Sequence, residues 1–168
     1  ADQLAFPYYT LWGFPEKFHR APPAELHRIE GLAASPGVAE GTARFLNRVY
    51  TAVEAFAPEA RGEKKVPSGG VALALRRKTH QTVKRLTEEL SGRLKINTAI
   101  AALMELANAQ QALASEYRKT PAERFALAES YDATVRMLSP FAPHAADALW
   151  RITGGKGYLL DGPWPTFD

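Results

Sequence analysis

From Val38 onward the chain repeats one pattern: apolar residues return every three or four positions, and glycine or proline breaks each run. Phe45, Leu46, Val49, Val53 and Phe56 mark a first helical face, which Pro58 and Gly62 stop. Residues 58–69, charged and carrying Pro67, Ser68 and Gly69, read as a loop. Leu75, Thr79, Val83, Leu86 and Leu90 form the stripe of a second helix over about Val71–Leu90, ended by Ser91-Gly92. Ile96, Ile100, Leu103, Met104 and Ala107 line a third, over about Lys95–Tyr117. Its many alanines (Ala99, Ala101, Ala102, Ala109) favour helix and permit close packing.

Thr120-Pro121-Ala122-Glu123 reads as a capping box with proline at the first helical position, the clearest helix start in the chain. Ala128, Tyr131, Val135 and Leu138 carry that helix's stripe, and Ser139-Pro140 ends it. A shorter fifth helix begins near Pro143 with Ala146, Leu149, Trp150 and Ile152. Gly154-Gly155 and Gly157 then release an extended tail around Trp164, flanked by Pro163 and Pro165. Short connections after residue 90 favour antiparallel neighbours. The expected fold is therefore all-α, an up-down bundle of four to five helices. Its divisions are an N-terminal arm over 1–37, the bundle over 38–153 and the tail over 154–168.

Residues 1–37 differ in kind. Pro7, Pro15, Pro22, Pro23 and Pro36 exclude a long helix, and Phe6, Tyr8, Tyr9, Trp12, Phe14 and Phe18 make the arm aromatic. A short element around Leu4–Trp12 and a helical turn near Glu25–Ile29 are expected there, with the aromatics docking on the bundle or on a neighbouring domain.

Composition narrows the chemistry. With no cysteine among its 168 residues, the chain has no disulfide, thiolate metal site or cysteine nucleophile. No apolar run approaches the roughly 20 residues that span a bilayer, and no secretory leader is visible. A cytoplasmic protein without a membrane partner is expected. No Walker or dinucleotide phosphate loop occurs; Gly154-Gly155-Lys156-Gly157 lacks the Gly-Lys-Ser/Thr ending and reads as a helix exit. His19, His27, His80 and His144 show no metal-ligand spacing. His80, among cations, reads as a surface residue, and His144 as a capping or packing residue. Glu88 and Glu89 are adjacent on a helix and point about 100° apart, so they do not flank one substrate atom. No catalytic constellation is visible, and no cofactor is expected in this chain.

The second helix is basic: Arg76, Arg77, Lys78, Lys84 and Arg85 lie on it, Arg93 and Lys95 follow, and Glu88 and Glu89 oppose them. At 100° per residue, Arg77, Gln81 and Lys84 project opposite Thr79, Val83, Leu86 and Leu90. Arg44 and Arg48 likewise avoid the apolar face of the first helix. Such a ridge suits phosphate oxygens, although lysine and arginine are also ordinary residues of a solvated face. Without aromatics on the ridge, contacts to shape and backbone fit better than base stacking.

Several of these runs resemble bacterial leucyl-tRNA synthetases. Gly41-Thr42-Ala43-Arg44-Phe45-Leu46-Asn47-Arg48-Val49-Tyr50 is similar to the family's first bundle helix, and Lys78-Thr79-His80-Gln81-Thr82-Val83-Lys84-Arg85-Leu86-Thr87-Glu88-Glu89 to the next. Asn97-Thr98-Ala99-Ile100-Ala101-Ala102-Leu103-Met104-Glu105-Leu106 resembles the third. Ser139-Pro140-Phe141-Ala142-Pro143-His144 with Ala148-Leu149-Trp150 resembles the closing helix, and Gly162-Pro163-Trp164-Pro165 the strap after it. Order and spacing agree from about residue 38 to 168. Ala5, where arginine is more usual, and the stretch 13–37 depart from the pattern.

The resemblance implies an anticodon-binding-type helical bundle that holds leucine tRNA by its backbone and orients it toward a catalytic domain. Arg44, Arg48, Arg77, Lys84, Arg85 and Arg93 are then the candidate RNA contacts. The parent reaction it implies is ATP-dependent attachment of leucine to tRNA, with ATP and magnesium in the catalytic domain and editing in another. Neither nucleotide-binding signature of the family, His-Ile-Gly-His-like or Lys-Met-Ser-Lys-Ser-like, occurs in this chain. The competing reading is a free-standing paralogue that acts as a protein- or RNA-interaction module through Tyr8, Tyr9 and Trp12. A small independent enzyme has no supporting constellation.

Overall fold

The computed structural model describes residues 36–56, 65–91, 95–116 and 120–168. The arm expected over Leu4–Trp12 and Glu25–Ile29, its aromatic residues and Arg93 lie outside the described residues. Contacts divide the chain between Ala43 and Arg44. Of the first unit, 36–43 is the described part and is helical; everything below concerns the second unit.

Among the described residues the regular structure is helical throughout: α1 (Pro36–Phe56), α2 (Gly70–Ser91), α3 (Ile96–Glu116), α4 (Pro121–Leu138), α5 (Pro143–Ile152) and a 3-10 turn (Leu159–Asp161). No helix there is long and apolar enough to cross a membrane. The all-α reading and the helix order agree with the periodicity. Starts and stops follow local chemistry. Thr120 accepts a hydrogen bond from the Glu123 N–H (3.2 Å), and its own N–H donates to Glu123 Oε2 (2.9 Å), closing the capping box. Such a cap contributes about 1 kcal/mol. Ser139 caps the other end of α4, its N–H donating to the Arg136 carbonyl.

The apolar stripes of α1 and α2 are where their spacing puts them, except that Leu46 and Leu90 are only half-buried. Phe45, Val49, Val53 and Phe56 are buried on α1, and Leu75, Thr79, Val83 and Leu86 on α2. Two helices differ from expectation. On α3 the buried row is Ala99, Ala102, Leu103, Leu106, Ala107, Gln110 and Leu113, whereas Ile96 is exposed and Ile100 and Met104 are half-buried. The alanines win the inner face because small side chains let the α3 backbone come close to its neighbours, and dispersion falls steeply with any gap.

On α4 burial goes almost all round: Ala126, Leu127, Ser130, Tyr131, Ala133, Thr134, Val135, Met137 and Leu138 are all covered. A helix covered on every side is a core helix, not a surface one. α2, α3 and α5 all pack on it, and Tyr131 meets Phe56 of α1 with ring centroids 5.4 Å apart.

Where α2, α3 and α4 meet, the core is polar. Gln110 Nε2 donates to Ser130 Oγ and to Thr134 Oγ1, both at 2.8 Å. Ser130 Oγ lies 2.8 Å from Thr79 Oγ1, which is 2.9 Å from the Leu75 carbonyl oxygen. Thr79 has one hydroxyl proton. Given to Leu75, it leaves Ser130 to supply the proton between the two hydroxyls, which links the Gln110 amide, Ser130, Thr79 and the Leu75 carbonyl in a single chain. Thr79, Gln110, Ser130 and Thr134 are each at most 2% exposed, so any broken link stays dry. Ser130→Ala therefore costs about 1–3 kcal/mol in urea denaturation. Ser115→Ala, at an exposed position of α3, stays within about 0.5 kcal/mol of the parent.

A candidate polyanion-binding ridge on the second helix

The burial of Thr79, Val83 and Leu86 fixes the rotation of α2 and leaves Arg77, Gln81, Lys84, Arg85 and Glu88 exposed on its far side. The ridge is thus the geometric complement of the core stripe. α2 has no acidic residue in its first turn and no basic one in its last. Glu88 and Glu89 sit at the end where the helix dipole favours cations. Its end charges do not complement the helix dipole.

The basic residues of α2 fall into two groups. Arg76 and Lys78 are held by other helices. Arg76 Nε donates to both oxygens of Glu129 (3.1 and 2.9 Å), and Nη2 to Asp168 Oδ2 (3.2 Å). The hydrogen bond to Glu129 keeps the guanidinium protonated above its ordinary range, against the effect of desolvation. Lys78 Nζ donates to Glu105 Oε2 of α3 at 3.0 Å. That bond, with the lysine charge and more weakly Arg85, holds the Glu105 carboxyl below its ordinary value. Arg77 and Lys84 form no ion pair among the described residues.

The tail borders this ridge. Gly154 and Gly157 take φ of 90° and 71°, conformations that favour glycine, and turn the chain back after α5. A Cβ on Gly155 would overlap the Trp150 ring, so the turn lies flat against that indole. Arg136 also lies over this indole, 4.6 Å from the Trp150 centroid, and donates to Asp132 Oδ2 (2.8 Å) and the Pro163 carbonyl (3.1 Å). Trp164 Nε1 donates to Thr87 Oγ1 (2.9 Å), which passes its own proton to the Val83 carbonyl (2.8 Å). The Asp168 N–H donates to His80 Nδ1 at 3.0 Å. With Trp164 at Thr87 and Asp168 at His80 and Arg76, the tail runs antiparallel to α2.

His80 is therefore not the surface residue its cationic neighbours suggest. Its side chain is 15% exposed, with Nδ1 on the tail and Nε2 3.5 Å from Glu129 Oε1. His144 is the second residue of α5 and exposed, and the N-cap, Ala142, has no side-chain cap. The tail is also less extended than its prolines imply, since Leu159–Asp161 forms a 3-10 turn with Leu159 buried and its N–H on Asp147 Oδ1 (3.1 Å).

The other candidate cations are placed elsewhere. Arg44 is exposed, and Arg48 Nη1 donates to Asn108 Oδ1 of α3 at 2.8 Å. Both line a groove of about 450 Å³ floored by Phe56, Ala107 and Tyr131. Arg77 and Lys84 line a different one, of about 400 Å³, with Arg76, His80 and Asp168. Among the described residues no three His, Cys, Asp or Glu side chains group as metal ligands.

Residues 73–168 match the family model described as the anticodon-binding domain of tRNA ligase. Over 132 residues the chain is 39% identical to a leucine–tRNA ligase of Geobacter sp. (strain M21), covering 77% of this chain and 16% of that protein. Over 137 residues it is 40% identical to a leucine–tRNA ligase of Sodalis glossinidius (strain morsitans), with 77% and 15% covered. Among solved structures it resembles the ternary complex of Agrobacterium radiobacter K84 agnB2 LeuRS-tRNA-LeuAMS. The TM-score is 0.65 at 24% identity, over 79% of this chain and 16% of that one, a likeness of fold. The chain spans about one sixth of the length of the curated relatives it matches.

The Lys78–Glu105 pair gives a direct check of the charge sorting. A carboxyl whose folded pKa is depressed adds stability above its unfolded pKa and loses it as pH falls through the folded one. Lys78→Met should raise the Glu105 pKa toward the ordinary range, read by carboxyl-carbon NMR titration. Any stability difference from the parent should be present at neutral pH and shrink in acid.

Proposed function

The chain belongs to the family of anticodon-binding domains of tRNA ligases, and from that premise we propose that it is the tRNA-binding helical domain of a leucine–tRNA ligase. In this reading it holds leucine tRNA by the phosphate backbone and positions the acceptor end for a catalytic domain outside this chain. Its contribution to the reaction is orientation, not bond making. ATP and magnesium are held by that catalytic domain, in a cytoplasmic enzyme, and this chain's residues take no part in their chemistry. The 39–40% identity to leucine–tRNA ligases supports the choice of amino acid.

The observation that carries the reading is the sorting of cations on α2. Arg76 and Lys78 are neutralised within the fold, while Arg77 and Lys84 are exposed and have no ion pair among the described residues. Charges left uncompensated on a rigid helix attract a polyanion and release its counterions on contact. α2 contains no aromatic residue, so base stacking has no platform there, and backbone contact is the mode that remains. Arg85, beside Glu105, extends the ridge; Arg44 and Arg48 form a second, separate cationic point on α1; Arg93 is proposed as a contact on the resemblance alone.

The test is a salt titration of leucine tRNA binding to the parent chain and to the double variant Arg77→Gln/Lys84→Gln. Two lost phosphate contacts make the slope of log K against log salt shallower by about 1.5–2. Between 50 and 200 mM salt the parent then loses roughly 12-fold more of its affinity than the variant does. Equal slopes and equal affinities would remove α2 from the interface.

A further inference from the structure

The groove bordered by α2 and the end of the tail brings Arg76, Arg77, His80, Gln81 and Lys84 around one acidic residue, Asp168, among the described residues. Among the described residues its lining has three cationic side chains and one acidic one. The anion is weakly held. Its side chain is 81% exposed, and among the described residues its one ion pair with a permanent cation is Oδ2 to Arg76 Nη2 at 3.2 Å. An exposed pair of this kind is screened by solvent and contributes little. The cation, by contrast, is firmly placed. Glu129 takes Arg76 Nε with both of its oxygens, which fixes the guanidinium plane and aims Nη2 at the groove. The tail keeps Asp168 on the Arg76 side through its N–H bond to His80, while Arg77 and Lys84 stay without an ion pair among the described residues.

We propose that this groove is a phosphate site, and that Asp168 is a built-in stand-in for the phosphate: a backbone phosphate of bound RNA displaces the carboxylate from Arg76 and bridges Arg76 and Arg77, with Lys84 left for the neighbouring phosphate. The identification of the phosphate's source rests on the tRNA reading above. A phosphodiester carries the same single charge as the carboxylate. Unlike Asp168, it is not tethered to one side of the groove, so its two free oxygens address two cations together. Displacement leaves the tail docked, because Trp164 stays bonded to Thr87. Arg76 and His80 thereby join the interface, although one is ion-paired and the other half-buried in the free chain.

The test uses the 168-residue chain, leucine tRNA, and two variants that each remove one exposed tail carboxylate. Asp168→Asn keeps an acceptor for Arg76 and the backbone N–H for His80, and removes the competing side-chain charge; the α-carboxylate of residue 168 is common to the parent and both variants. Asp161→Asn removes a charge of the same sign from the 3-10 turn, outside the groove. Asp168→Asn should tighten tRNA binding about 3- to 10-fold, and Asp161→Asn less than 2-fold. Binding of tRNA with equal gains in the two variants would overturn the phosphate site and leave the tRNA reading standing. If the parent binds no tRNA, that reading fails, and an inorganic phosphate titration followed by the Asp168 amide and Arg76 Nε–H NMR signals decides the site. Saturable shifts absent in chloride of equal ionic strength would uphold it, and no shift would overturn it.

Discussion

The chain of hydrogen bonds from Gln110 through Ser130 and Thr79 to the Leu75 carbonyl is the constraint on which the other features depend. An apolar contact between helices tolerates small rotations and slides, because dispersion and water exclusion have little direction. A buried chain of hydroxyls and an amide does not. Each group there is satisfied in one register of α2, α3 and α4, and any other register leaves donors dry. Thr79 must face inward for this chain to close. With Thr79 inward, Arg77, Gln81 and Lys84 must face out. A core bond on one side of α2 thus sets the charged surface on the other.

The same registration sorts the charges. It brings Glu129 and Glu105 beside Arg76 and Lys78, and it leaves Arg77 and Lys84 without an ion pair among the described residues. Positions one apart on a helix differ by about 100°, so Arg76 and Arg77 end in opposite circumstances: one tied into the α2–α4 contact, the other toward solvent. A count of basic residues along α2 treats them as equals. For function, only those the fold leaves uncompensated pull a polyanion from solution, and the compensated ones act after something displaces their partner.

How much of this is legible in the sequence depends on the range of the interaction. The capping box is legible because Thr120 and Glu123 are three residues apart. The stripes of α1 and α2 are legible because each helix faces the core on one side. α3 misleads because its bulky residues, Ile96, Ile100 and Met104, suggest one face while its alanines and Gln110 take the inner one. α4 misleads because helices cover it from several directions, which a single stripe cannot express. The ridge is legible as a set of cations, but the partners of Arg76 and Lys78 come from distant helices, so their neutralisation leaves no local trace. The role of the tail is half legible. A tryptophan between two prolines signals a docked strap, while the bond from Asp168 to His80 has no sequence signal at all.

The antiparallel run of the tail along α2 has a mechanical consequence. Its two fastenings, at Thr87 and at the Arg76–His80 turn, bracket the span that carries Arg77 and Lys84. α2 is therefore splinted over the stretch where its outward charges sit. Seven residues of helix set the Cα atoms of Arg77 and Lys84 about 10.5 Å apart along the axis, and the splint resists the bending that would change this distance. A stiff pair of anchor points acts as a gauge for the charges they carry. It fits a partner whose own charges are held at a matching interval, as in a base-paired helix. A limp polyanion must surrender conformational freedom to match it.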